Sequence, residues 1–228
     1  MGYLIRIVLL VILCQTISAS TAKKSIADPL RIEVSDPRPV AAAIIELEKK
    51  FGCVITYEDP AYLHTSQIEK SPEGQLIPKW GSISFNILES LLKEYSSQGN
   101  QPIFQVKKEN GIYHVFPLKS KNINGELKSQ VSILDTPISI SAQNKNGAEI
   151  LEMICDKLTE MTQKRVVVGT IPVEIFMGIK ISYDFVKQSA RKCLTTLLND
   201  LGNNLSWQIF NDPKLQWYVV NIHYVPSP

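Results

Sequence analysis

The chain has 228 residues, 44% of them hydrophobic and 20% charged, with a formal net charge of +2 at pH 7. That length holds one large domain or two of about 100 residues, with enough apolar material for cores that need no disulfide staples. A charge balance so near zero gives no nucleic-acid footprint, which needs a strong basic excess or stripe.

Residues 1–22 stand apart from the rest. Arg6 is followed by an unbroken apolar run, Ile7–Leu13, and then by the small, polar Gln15–Ala22 before Lys23 and Lys24. This order predicts a secretory signal peptide, with small residues at Ser18/Ser20 or Ser20/Ala22 for cleavage. The run falls short of the roughly 20 residues that span a bilayer. An uncleaved N-terminal anchor and a lipoprotein at Cys14 are the alternatives, although Leu13 is bulky where a lipoprotein site takes a small residue. No later segment reaches transmembrane length, so any membrane contact falls to an uncleaved N-terminal segment. Beyond the signal lie Cys53, Cys155 and Cys193, an odd set for a disulfide framework. Cys155 and Cys193 fall on the apolar faces of two predicted helices, either as a bridge or as two buried small hydrophobes.

Leu30–Val34 alternates like a half-buried strand. Asp36-Pro37-Arg38-Pro39 opens a helix, since Pro costs nothing in a first turn. Val40, Ile44, Leu47 and Phe51 recur at helical spacing until Gly52, a left-handed stop, and Cys53–Tyr57 reads as a strand. Residues 58–79, with Pro60, Pro72, Gly74 and Pro78, read as a long loop, functional or merely inserted. Trp80–Phe85 reads as a strand, and Leu88, Leu91, Leu92 and Tyr95 as the stripe of a second helix. Ile103–Lys107 and Ile112–Phe116 flank Asn110-Gly111, a pair suited to positive φ at both turn positions.

Residues 118–131 are polar and read as a linker. The second run begins with a strand, Ile133–Ser141. A helix follows, capped by Asn144 or Asn146 and striped by Ile150, Ile154, Leu158 and Met161. Arg165–Val168 and Ile179–Tyr183 read as strands. Phe185, Ala190, Leu194, Leu197 and Leu201 mark a last helix ending at Gly202, and Leu205–Phe210 with Leu215–Ile222 closes as a hairpin. The expected class is α+β: two tandem β-α-β-β-α-β-β modules, residues 30–117 and 132–225, each with two helices packed on small sheets. Two copies are a duplication and not a solenoid.

The first module's RIEVSDPRPVAAAIIELEKKFGCVITYED, its strand and Leu-rich helix over Ile83–Leu92 and its hairpin over Ile103–Phe116 resemble the secretin/TonB short N-terminal domain. The second module resembles it more loosely: Asn144-Lys145-Asn146-Gly147 replaces the Pro bend, and no Gly stands between Met161 and Val166. The resemblance implies a periplasmic, non-enzymatic module that docks other envelope proteins, with no catalytic residues and no cofactor to carry over. Secretins and transducers continue into ring domains or a barrel. A chain ending at Pro228 is therefore expected to be an adaptor and neither pore nor receptor.

Reactive chemistry finds little footing. Cys53 and His64 are the nearest nucleophile–base pair, but Cys53 reads as buried at a helix-to-strand junction. His64, His114 and His223 lack metal-ligand spacing, and His114 reads as a solvent-facing strand residue. Glu58/Asp59 reads as a solvated loop pair and not as two carboxylates held across a cleft. No phosphate loop or nucleophile elbow occurs. Trp207 and Trp217 read as cross-strand partners in a hairpin, or, with Trp80 and Tyr218, as a partner-binding aromatic surface. The expected function is therefore an exported adaptor of the bacterial periplasm that binds another envelope protein by a sheet edge or the 58–79 loop. A cell-wall glycan or peptide binder using the second hairpin is the alternative, and a hydrolase the third reading.

Overall fold

A computed structural model describes residues 32–34, 36–65, 68, 74–76, 85–97, 102–122, 124–202 and 204–227. The predicted signal peptide and Trp80 lie outside these residues. The fold is α+β, and its element order runs twice.

In the first half, strand β1 (Ile32–Val34) pairs antiparallel with β3 (Gly74–Leu76). Helix α1 (Pro39–Phe51) buries Val40, Ala43, Ile44 and Leu47, and stops at Gly52, whose φ of 61° lets its N–H reach the Glu48 carbonyl. Strand β2 (Ile55–Glu58) follows. Helix α2 (Phe85–Ser97) buries Leu88, Leu91, Leu92 and Tyr95. Strands β4 (Ile103–Glu109) and β5 (Ile112–Lys121) form a hairpin around Asn110 and Gly111, at φ 49° and 84°.

Strand β6 (Leu127–Ser129) folds back on the end of β5, pairing Lys119 with Ser129. The segment read as a linker is thus a second hairpin of the sheet. The polar side chains of this stretch resemble a linker, but its backbone groups are paired.

The second half opens with a short 3-10 turn, Ile133–Asp135, capped by Ser132. Strand β7 (Pro137–Asn146) leads into helix α3 (Gly147–Thr162) through a capping box: Asn146 accepts from the Glu149 N–H, and Glu149 accepts from the Asn146 N–H. Strand β8 (Arg165–Val168), helix α4 (Val173–Gly178), strand β9 (Lys180–Ser189), helix α5 (Ala190–Leu201) and strands β10 (Leu205–Asp212) and β11 (Trp217–Tyr224) complete it.

Three expectations shift. The strand paired with β1 is Gly74–Leu76, inside the stretch read as a loop, whereas residues 80–84 lie outside the described ones and Phe85 opens α2. Phe185 belongs to β9 and not to the last helix, because Ile181, Tyr183 and Phe185 alternate at the strand period. Helix α4 was not expected, and at six residues it is too short to display a periodicity.

The halves share one topology. In the first, the strand order is β4-β5-β2; in the second it is β10-β11-β8. In each, the hairpin's second strand lies parallel to the strand after the first helix. The two three-stranded units are fused, because β10 lies parallel to β2 and pairs Gln208 with Tyr57 and Ile209 with Glu58. With β6 the result is one seven-stranded sheet.

Two apolar cores flank it. One gathers Val40, Ile44, Leu47, Tyr57, Leu88, Leu91, Phe104 and Val115 around α1 and α2. The other gathers Ile150, Ile154, Leu158, Leu194, Leu197, Trp207, Ile209 and Val220 around α3 and α5. Gln208 points away from the second core and donates to the Ala41 carbonyl of α1 at 3.0 Å. On the other side, Arg191 of α5 lies 4.6 Å over the Phe116 ring of β5. The two helix pairs therefore cover opposite faces of the shared sheet.

Candidate functional site: a charged seam and two sheet edges

Where β2 meets β10, the sequence places two carboxylates in succession, and strand alternation sends them to opposite faces. Glu58 is 1% exposed and Asp59 is 0% exposed. Neither is the solvated loop residue that the sequence suggested.

Glu58 faces the second half. Its carboxylate accepts from the Ser132 hydroxyl, from the Ile133 N–H at 3.1 Å and from Arg191 Nη2 at 3.1 Å. Arg191 also reaches Asp135 at 3.2 Å. Burial raises the Glu58 carboxyl above its ordinary range, and Arg191 and Ser132 oppose that rise.

Asp59 faces the first half. It accepts from Arg38 Nε at 2.6 Å, the Tyr57 hydroxyl at 2.8 Å and the Asn211 N–H at 3.0 Å. Burial pushes it up to about 6, with Arg38 pulling the other way. Arg38 Nη2 also donates to the Asn211 carbonyl, and the Asn211 side chain accepts from the Tyr62 N–H. A third contact joins Glu48 of α1 to His223 of β11 at 2.6 Å, while the other Glu48 oxygen accepts from the Ile55 N–H. Each charge at this seam has a partner from the other half or beside it. Breaking one such pair strands a buried charge and typically costs about 3–5 kcal/mol.

His114 lies in the same seam. It is 1% exposed, bonded to the Thr56 hydroxyl at 2.8 Å and stacked on Trp207 at 5.4 Å. The expected solvent-facing ring is thus buried between the halves, and desolvation holds it down at about 4.

Among the described residues, the predicted aromatic surface is not found. Trp207 is 1% exposed and Tyr218 is 3% exposed, both in the second core. Trp207 pairs with Ile222 and Trp217 with Asp212, so the two tryptophans are not cross-strand partners. Trp217 is half-buried with the Arg165 guanidinium 4.0 Å from its ring centre. The alternation of β10 and β11 aims the Trp207 and Tyr218 rings inward, where α3 and α5 cover that face, and puts Trp217, next to Tyr218, on the other face.

Cys155 and Cys193 are free thiols packed in the second core, not a bridge. Desolvation pushes them up to about 12 and about 11. Cys53 is half-buried, and its thiol is likewise raised to about 11 by burial and the nearby Glu48. At neutral pH it is a protonated thiol and not an activated nucleophile.

The shared sheet ends in two strands with one neighbour each among the described residues: β4, paired with β5, and β8, paired with β11. On β8 the Gly169 N–H turns inward to the Val220 carbonyl, so alternation turns the backbone N–H and C=O groups of Val166 and Val168 toward the open edge. Thr159 Oγ1 accepts from the Val166 N–H at 2.9 Å. Val168 remains at the open side. Compared with family models, with curated proteins and with solved structures, the chain matches none.

Proposed function

We propose that this is an exported, non-catalytic adaptor of the bacterial periplasm that docks a protein partner by strand addition to its sheet edge. Export rests on the order of charge, apolar run and small residues over 1–22. The docking mode is supported by one observation above others: the shared sheet leaves β4 and β8 each with one strand neighbour among the described residues. Unpaired edge groups accept an extended strand from another chain. The resemblance to the secretin/TonB short N-terminal domain points the same way.

Glu58 and Asp59 are engaged in the seam, and burial raises the Cys53 thiol, which weighs against the two hydrolase arrangements considered above. The glycan reading loses its platform, since Trp207 and Tyr218 are core residues. The 58–79 loop is a weaker docking element than the edges. Ala61 and Tyr62 are tied by their N–H groups to Gln130 and Asn211, and Gly74–Leu76 is a paired strand.

A photo-crosslinking residue placed at Lys107 on β4, or at Glu152 on α3, the helix packed on β8, should yield protein adducts in the native envelope. The same probe at Lys214, in the β10–β11 turn, should not. Equal labelling at all three sites, or none at the edges, would defeat the edge reading.

A further inference from the structure

The join between the halves is a repeating operation. Strand β2 corresponds to β8, since each follows the first helix of its half and lies parallel to the second hairpin strand. Strand β4 corresponds to β10, since each is the first hairpin strand. The seam sets a β2-type edge against a β4-type edge, so it is head-to-tail. Strand order is kept from one half to the next, while strand direction and helix face both reverse. That is a half-turn about an axis lying in the sheet across the strands, plus a step of three strands. Such an operation does not close upon itself. It leaves a β4-type edge at one end and a β2-type edge, β8, at the other.

We propose that a second copy of this chain continues the sheet, its β4 lying parallel to β8 as β10 lies beside β2. The inference rests on the edge-docking reading and names the partner. The register transfers directly. Tyr57 pairs with Val115, which pairs with Val106; Val168 pairs with Val220, which pairs with Ile209. Val106 therefore takes the place of Ile209, and Gln105 that of Gln208. Val168 would meet Gln105 of the next copy as Tyr57 meets Gln208, so glutamine stands at both positions.

Charge supports the same match. At the seam, α1 runs alongside β10, with Arg38 4.9 Å over the Phe210 ring and Ala41 accepting from Gln208. Glu48, four residues before the cap Gly52, holds the first outward N–H of β2. Thr159, four residues before the cap Gln163, holds the first outward N–H of β8. Counting back equally along α3, the places of Arg38, Ala41 and Ile45 fall to Glu149, Glu152 and Asp156. Glu149 is committed to its capping box, while Glu152 and Asp156 are exposed. On β4, the place of Phe210 falls to the exposed Lys107. The β8 end thus offers carboxylates where the incoming β4 brings an ammonium.

Sedimentation velocity on the protein as the cell processes it tests this. At low salt, the mass should climb beyond a dimer as concentration rises from about 1 to about 300 μM, and fall back when salt screens the ends. Lys107→Glu and Glu152→Lys, both exposed changes, should each weaken association about tenfold. Mixing the two variants should restore growth as alternating chains, because each presents at both ends the charge that the other's ends require. The double variant should regain chain growth. A wild type monomeric throughout, variants that associate like the wild type, or a mixture no stronger than its parts would each overturn the head-to-tail copy. If edge crosslinks to another envelope protein persist with a monomeric wild type, only the identity of the partner fails. If the crosslinks are absent too, the edge reading fails with it.

Discussion

At the residue scale, the seam makes stability respond to pH through opposing groups. Asp59 is raised from 3.8 to about 6 in the fold. The stability it contributes is full below about pH 4 and is lost as pH rises through about 6. Buried Glu58, also raised, acts in the same direction. His114, lowered from 6.5 to about 4, does the reverse: its contribution is full above about 6.5 and is lost as pH falls through about 4. The Asp59 and His114 shifts are each worth about 3 kcal/mol, so their slopes offset one another between about pH 4 and 6.5. Asp59→Asn should make stability rise with pH across that window more than in wild type. His114→Phe should make it fall. Urea unfolding at several pH values reads both slopes, and a change of the opposite sign in either variant would refute this assignment.

At the element scale, the helices follow from local rules. Leu88, Leu91, Leu92 and Tyr95 in α2 recur as Leu194, Leu197, Leu198 and Leu201 in α5, and all eight are buried. Helix α3 adds a capping box that α1 lacks, for Arg38 makes no side-chain cap. Asn146→Ala should therefore cost about 1 kcal/mol, seen as a lowered thermal midpoint without loss of fold. A midpoint unchanged from wild type would show that tertiary contacts alone hold the start of α3. The strands were legible where one rule dominated. Arg165–Val168 carries three β-branched valines in a row, and Asn110-Gly111 carries its own turn chemistry. The extent of β9 was not legible: the sequence read a strand over Ile179–Tyr183 and gave Phe185 to the last helix, whose spacing with Ala190 and Leu194 it also fits, whereas the strand runs Lys180–Ser189. Helix α4 carried no comparable signal.

At the scale of the whole molecule, the halves are bound through buried charge as well as a shared sheet. Glu58 to Arg191 and Glu48 to His223 span 133 and 175 residues of sequence. A chain cleaved at the Asn124-Gly125 turn should keep its two fragments bound, co-eluting with near-native circular dichroism. Fragments prepared singly should unfold at much lower temperature, since each exposes one flank of the seam. Fragments that separate freely and keep the stability of the intact chain would show that the seam contributes little.

The α+β class, the doubled element order and most helix stripes were determined by the sequence alone, because periods of 3.6 and 2 and turn chemistry act over a few residues. Tertiary structure decided that the modules share a sheet, that the stretch read as a linker supplies the end of β5 and β6 to it, and that Glu58, Asp59 and His114 lie inside it. A charged or imidazole side chain is buried only when a partner arrives from far along the chain, and no local pattern records that arrival. The same physics turned Trp207 and Tyr218 inward: the register of β10 on β11 puts them on one face, and the packing of α3 and α5 against that face made it the core.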